Sequence, residues 1–321
     1  MIGSSVSEAA ANLKAGKLVA IPTETVYGLA ALIRLDESVV QIFKAKNRPA
    51  FDPLIVHVPS LEAAKPYIRE VNSEAKKLAD AFWPGPLTLL FEKSDQVSDL
   101  VSSGLPTVAV RVPQHEITLR LLQALGEPVA APSANPFGYV SPTTAAHVAQ
   151  QLGKEVAYIL DGGPAKVGLE STIVSCLNNE VKVLRLGGLS LEQLSEVLGY
   201  TPELQLSTHS NPQAPGQLDK HYATHTPLYL SDAGLEELKT RMKPGQKWAL
   251  ISLNPLADLP EGCTNYPLSQ SGNLDEAASK LFALMRNLDE LKLDGIVAER
   301  LPDKGLGRAI NDRLHRAAYR M

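Results

Sequence analysis

The sequence predicts an α/β protein in two parts, on three observations. Helix and strand signals alternate across the first two-thirds of the chain. Several of those strands follow one another with no helix between them, which suits a mixed, twisted sheet better than a purely parallel one. Roughly the last 95 residues return to a regular βαβαβα alternation, the pattern of a small Rossmann-like layer sandwich. A length of 321 residues fits about two domains.

Taken in order, residues 5–16 read as a capped helix closed by Gly16, and 18–22 as a short apolar strand. The amphipathic stretch Glu37–Lys46 predicts a helix that turns Val40 and Phe43 inward, with Val39 beside them. Strands are expected at Pro53–Val58, Leu87–Phe91, Thr107–Val112 and Val129–Ala131. Helices are expected at Ser73–Phe82, stopped by WPGP at 83–86, and at Glu116–Leu125. A helix over Thr143–Leu152 leads to strands at Ala157–Leu160, Thr172–Cys176 and Val181–Leu186, and a helix at Leu191–Leu198 closes the region. Residues 201–227 are polar, hold four prolines and show no apolar period, so they read as a linker or an ordered loop. Beyond them, strands at Leu228–Ser231, Trp248–Leu253 and Gly295–Ala298 alternate with helices at Gly234–Met242, Leu274–Leu291 and Leu306–Tyr319. The chain divides into 1–200, a connection at 201–227, and 228–321.

Composition narrows the function. Apolar residues make up 44% and charged residues 21%, which excludes a disordered, collagen-like or disulfide-scaffold chain. A net charge of −4 leaves no global polycation to hold nucleic acid by counterion release, so any anion site must be a local concentration of Lys and Arg. Cys176 and Cys263 lie far apart and supply no zinc cluster, which points to a reducing compartment. With no signal-peptide pattern at the start and no apolar run long enough to span a bilayer, the expected location is the cytoplasm, away from membranes.

Familiar catalytic signatures are missing. There is no GxxxxGK[ST] loop; the SxxK match at 73–76 lacks its partner motifs; and HYATH at 221–225 is flanked by Pro215, Gly216 and Pro227, which argues against a two-histidine helical metal face. What recurs is hydroxyl-rich or basic turns at strand ends. PTET at 22–25 follows a strand, although Thr23 or Thr25 alone reads equally well as a helix N-cap. Lys44, Lys46 and Arg48 close a helix, where cations also complement the dipole. Ser133 and Asn135 follow another strand, Ser171 and Thr172 begin one, and Arg111 and Arg185 sit inside apolar strand runs, where they need an anionic partner. Repeated within one domain, the pattern describes a pocket for a polyanion and a carboxylate.

The strings IPTETVYGLA, FKAKNRPAFDPLIVHV, FWPGPLTLL, TVAVRVP, APSANPFGYVSPT, GLESTIV and RLGG, collinear from about residue 8 to 200, resemble those of the YrdC-like family of L-threonylcarbamoyladenylate synthases. The loop APGQLDKHYATHTP resembles the linker of that enzyme's long form, and the remainder, less specifically, its extra C-terminal Rossmann-like domain. The resemblance implies a twisted mixed-sheet catalytic domain and a nucleotidyltransferase. Such an enzyme makes threonylcarbamoyl-AMP and diphosphate from L-threonine, bicarbonate and ATP. This is the first step toward the threonylcarbamoyl modification of adenosine 37 in tRNAs reading ANN codons. It implies Mg²⁺ held mainly through the ATP phosphates with no metal site on the protein, a downstream transferase acting on tRNA, and at most weak tRNA binding by this chain.

Residue by residue, the resemblance places Thr25, His57, Arg111, Ala131 and Ser171 around threonine. It places Arg48, Asp52, Thr107, Ser133, Ser141, Arg185 and Tyr222 around ATP, with Lys46 and Arg48 as the catalytic pair facing the phosphates, and the linker as a lid over the pocket. Two positions depart from the family pattern of KGRP and NPL: Asn47, which tolerates a left-handed backbone nearly as glycine does, and Asp52, an anion in place of a neutral donor. The alternative is an RNA-binding or regulatory module of the same fold, against which the acidic balance and the lack of a basic, aromatic-interleaved stripe argue.

Overall fold

A computed structural model of the chain describes residues 1–206 and 221–318. Most of the expected lid loop, at 207–220, lies outside the described residues, as does Tyr319 at the end of the last expected helix.

A hairpin sets the first functional loop. After β1 (Ile2–Gly3) and α1 (Val6–Lys14), β2 (Val19–Ile21) and β3 (Gly28–Leu32) pair antiparallel with Ile21 opposite Gly28. Residues 22–27 are therefore a hairpin loop and not a helix entry. Thr23 Oγ1 accepts from the amides of Thr25 and Val26 and donates to the Val26 carbonyl, closing the turn with a hydroxyl. β3, with the sequence GLAAL, was not expected, because Gly and Ala carry little strand preference; it is fully buried instead.

The helix α2 (Asp36–Lys46) corrects a second expectation. Val39 and Ile42 are buried, whereas Val40 and Phe43 are only half-buried. The inward face runs through Ser38, Ile42 and Lys46 at i, i+4 and i+8, so Lys46 points under the sheet with the apolar residues. Asn47 then ends α2 at φ 51, ψ 39, the left-handed cap its residue type allows.

The large domain continues through β4 (Ile55–His57), α3 (Leu61–Ala64), α4 (Ser73–Phe82), β5 (Leu87–Glu92), α5 (Asp99–Ser102), β6 (Thr107–Arg111) and α6 (Glu116–Leu125). It is completed by β7 (Val129–Ala130), α7 (Ala145–Leu152), β8 (Tyr158–Leu160), β9 (Thr172–Ser175), β10 (Lys182–Arg185), α8 (Leu191–Leu198) and β11 (Glu203–Leu204). Among the described residues these strands form one mixed, eleven-stranded sheet in the order β1-β8-β2-β3-β7-β4-β6-β5-β9-β10-β11. Leu13, Ile21, Leu32 and Leu121 form the core beneath α1 and α6, and a larger core fills the rest of the domain. Several helix entries are capped by side chains: Ser190 and Gln193 form a reciprocal capping box at α8, an arrangement that contributes about 1 kcal/mol.

The second sheet contains β12 (Leu228–Ser231), β13 (Trp248–Ser252), β14 (Cys263–Pro267) and β15 (Gly295–Glu299), ordered β12-β15-β13-β14 and wholly parallel, with α9 (Gly234–Arg241), α10 (Leu274–Glu290) and α11 (Gly307–Ala318). Three strands were expected here and four are present among the described residues. β14 is a half-exposed edge strand ending in proline, which weakens its signal in sequence. No described helix is long and apolar enough to cross a membrane.

The two sheets' domains meet closely. Gly168 has φ +76, and a Cβ there would lie 2.6 Å from the Ala278 carbonyl oxygen, so glycine is what lets the α10 backbone approach. Arg286 of α10 donates to the Val140 carbonyl at 2.5 Å and to Gln151 at 2.8 Å. Asp289 accepts from the Tyr139 hydroxyl and from the amides of His225 and Thr226, pinning the end of the connection.

Candidate active site

Strand register builds the floor of the site. β4 and β6 run parallel with His57 beside Arg111; β5 lies antiparallel on the other side of β6 with Thr88 beside Arg111; and β9 follows β5. Ser171, at the entry to β9, has its hydroxyl 2.8 Å from that of Thr88. Arg111 therefore stands at the centre of four adjacent strands.

Every branch of its guanidinium is held. Nη1 donates to Thr25 Oγ1 at 2.8 Å and Nε to the Gly85 carbonyl at 3.3 Å. Nη2 lies 2.7 Å from Glu24 Oε1, an ion pair without hydrogen-bond alignment, both side chains being only 4% exposed. A fork fixed this way is preorganised for a carboxylate. Burial, reinforced by the Arg111 charge, drives the His57 imidazole down to about 3, so it is neutral at physiological pH. Thr25, His57, Arg111, Ala131 and Ser171 all line one pocket.

Arg48, Ser133, Arg185 and Tyr222 line the same pocket. Arg48 leaves the end of α2 and donates to the carbonyls of Asp52 and Pro53, with Nη2 2.8 Å from Asp52 Oδ2. Burial raises the Asp52 carboxyl against the pull of Arg48 and Lys46. The anion that departs from the family pattern is thus turned toward Arg48. Arg185 donates through Nε and Nη2 to the Ser171 carbonyl and through Nη2 to the Ser171 hydroxyl, at 3.0–3.1 Å, so Ser171 joins the two ends of the pocket. Tyr222 adopts φ 63, uncommon for an aromatic residue, and is fully buried. Its ring stacks on Phe282 of α10 at 5.3 Å and meets His221 edge-on at 4.1 Å. Burial drives His221 down to about 3.

Four expected residues do not line the pocket. The Lys46 ammonium, depressed by burial, donates to the carbonyls of Ser133 and Asn135 at 2.6 and 2.5 Å, beneath the pocket wall. Asp52 stands behind Arg48. Ser141 donates to Glu170 Oε1 at 2.5 Å and reaches the pocket only through it. Thr107 begins β6 at the end away from Arg111 and lines a separate surface depression with Lys93 and Asp95.

Glu170 itself lines the pocket, and neither it nor Glu24 was singled out, although both lie inside the quoted strings GLEST and PTET. A pocket read as anion-binding gives no reason to choose carboxylates. Burial pushes Glu170 up, but Arg313, Arg185 and the Ser141 hydroxyl outweigh it and hold the carboxyl down at about 2. Arg313 of α11 carried no signal, because charges recur along GRAINDRLHRAA and read as a solvated face; Asn311, Arg313 and Arg316 are buried.

Comparison with known proteins shows the family of the chain. Residues 11–187 match the family described as "Telomere recombination", and residues 189–319 match "Threonylcarbamoyl-AMP synthase, C-terminal domain". The threonylcarbamoyl-AMP synthase of Pyrococcus abyssi is 39% identical, the match covering 98% of this chain and 94% of that protein. That of Bacillus subtilis is 37% identical, covering 98% and 92%. The crystal structure of P. abyssi Sua5 complexed with L-threonine superposes with a TM-score of 0.90 at 36% identity, covering 99% of this chain and 97% of that one. Escherichia coli YciO, at 22% identity and TM-score 0.53 over 58% of this chain, shares the fold of the large domain. This chain belongs to the threonylcarbamoyl-AMP synthase family.

Proposed function

We propose that the pocket joins the amine of L-threonine to bicarbonate as a carbamate, with loss of water, and that the carbamate carboxylate attacks the α-phosphorus of ATP, releasing diphosphate and leaving threonylcarbamoyl-AMP. One observation carries this reading. A single pocket holds two cationic centres, Arg111 among hydroxyls at one end and Arg48 with Arg185 at the other, coupled through Ser171. Arg111 clamps the threonine carboxylate, with Thr25 and neutral His57 beside the side chain. Arg48, Arg185, Ser133 and Tyr222 hold the nucleotide. Both reactants are anions, so catalysis is positioning and charge stabilisation, with no protein nucleophile.

Among the described residues no group of three or more His, Cys, Asp or Glu side chains could hold a metal ion. The pocket's carboxylates are committed to arginines, so the residues fit Mg²⁺ only as an ion carried on the ATP phosphates, where it neutralises phosphate charge. The product is a mixed anhydride that hydrolyses readily. His221 and Tyr222 shield that end of the pocket from water before the product passes to a transferase acting on adenosine 37 of tRNA.

Diphosphate release from ATP tests the reaction. It should require threonine and bicarbonate together, and release that is indifferent to either would overturn this reading.

A further inference from the structure

We propose that Arg313, in the last helix, is a positioning residue for the nucleotide end of the pocket, holding the Glu170 carboxylate away from the polyphosphate so that the C-terminal domain completes the ATP site. The inference rests on the function proposed above and adds to it a residue from outside the large domain.

Glu170 is an anion in the wall of a pocket meant for a triphosphate. Left alone, it would repel the substrate. Both of its oxygens are occupied: Oε2 accepts from Arg313 Nε at 2.9 Å and Oε1 from the Ser141 hydroxyl at 2.5 Å. Arg313 reaches two further parts of the same end. Its Nη2 donates at 2.7 Å to the carbonyl of Leu186, the residue after Arg185, and its guanidinium carbon lies 5.1 Å from the centre of the Tyr222 ring. The side chain is 0% exposed, and its remaining branch donates to Asp312, which is also paired with Arg316. One arginine from α11 thus touches the carboxylate, the backbone beside Arg185 and the tyrosine. The depressed pKa of Glu170 agrees with this geometry.

Removing one partner of a buried pair leaves an uncompensated charge, whereas removing both does not. The test uses the full chain as native, Arg313→Met, and the double variant Arg313→Met with Glu170→Gln. Titration with Mg·ATP gives nucleotide affinity, diphosphate release gives KM for ATP and for threonine, and thermal unfolding reports the fold. Arg313→Met is expected to weaken ATP binding and raise its KM at least about tenfold, with the threonine KM within about threefold of native, and the double variant to recover most of the loss. A folded Arg313→Met protein with native ATP affinity overturns the proposal, as does a double variant as impaired as the single. If Arg313→Met does not fold, the double variant decides: near-native ATP affinity supports the role, and a tenfold loss overturns it. A native chain that binds ATP yet releases no diphosphate with threonine and bicarbonate sinks the proposed reaction, while the ATP titration still judges Arg313. A native chain that binds no ATP overturns both.

Discussion

The ends of the pocket proposed for threonine and for the nucleotide use the same device, a buried arginine on a buried carboxylate, but draw it from different parts of the chain. Arg111 and Glu24 belong to β6 and to the β2–β3 hairpin loop, and strand register alone brings them to 2.7 Å. Glu170 and Arg313 are 143 residues apart and meet only because α11 docks on the large domain. The Arg111–Glu24 pair is a property of one sheet; the Arg313–Glu170 pair is a property of an interface, added to the Arg48–Asp52 pair that the large domain makes by itself.

Breaking the first end should have the largest effect. Arg111→Ala leaves Glu24 buried without a countercharge, a change that typically costs about 3–5 kcal/mol. Thermal unfolding should show that loss, and threonine-dependent diphosphate release should vanish. A variant as stable as native would mean that Glu24 is not held by Arg111.

Arg48→Ala strikes the other end through the large domain alone, and by leaving the Asp52 carboxyl buried without its partner it also lowers stability. Loss of a charge-assisted phosphate contact of about 1.5–3 kcal/mol should lower kcat/KM for ATP roughly 10- to 100-fold. The threonine KM should change little, and an equal rise in both constants would erase the distinction between the ends.

Substrate analogues sharpen the first end further. Serine should react with kcat/KM lower by on the order of tenfold, from the lost methyl contact, and valine should be worse because a buried hydroxyl partner is left unpaired. Equal rates with valine and threonine would remove the hydroxyl-lined end from amino-acid recognition.

Acid should weaken both ends alike. His57 and His221, one at each end, are held at about 3 against an ordinary 6.5, so below 6.5 the unfolded chain binds more protons than the folded one. Their contribution is complete above pH 6.5 and is lost progressively as pH falls toward about 3. His57→Gln and His221→Gln should each flatten the fall of Tm across that window. A Tm profile unchanged by either substitution would show that the imidazole stays neutral in neither state or in both.

The smallest effect is expected at the rim of the interface. Glu192 and Arg308 pair at 2.6 Å, but the Glu192 side chain is 53% exposed. Glu192→Gln should therefore shift stability by less than about 1 kcal/mol in a denaturant titration. A larger loss would move the weight of the interface from its buried contacts to its edge.

The same division explains what could be read in the sequence. Helices with marked ends, such as Ser73–Phe82 and Leu191–Leu198, were legible to the residue because caps and stops are local chemistry. So was Asn47, whose left-handed conformation follows from its residue type. β3 and β14 were missed because small residues and a terminal proline carry weak strand signals that tertiary burial overrides. At the site, Arg111 stood out as a charge inside an apolar run, whereas Arg313 lay in a charged helix where nothing local separates a buried arginine from a solvated one. Lys46 is the opposite case: a cation at a helix end reads as exposed, yet the helix phase sends it under the wall to two carbonyls.

The docking of α11 also gives the site a history in time. A chain grows from its N-terminus, and domains fold largely as units while it does. Arg111, Glu24 and the hairpin loop are all made before residue 112, and the large sheet's strands are complete by residue 204. Phe282 and Arg313, which brace Tyr222 and neutralise Glu170, are synthesised only after that. A nascent protein would thus complete the proposed amino-acid end, whose last residue is Ser171, before the proposed nucleotide end, which waits for α11.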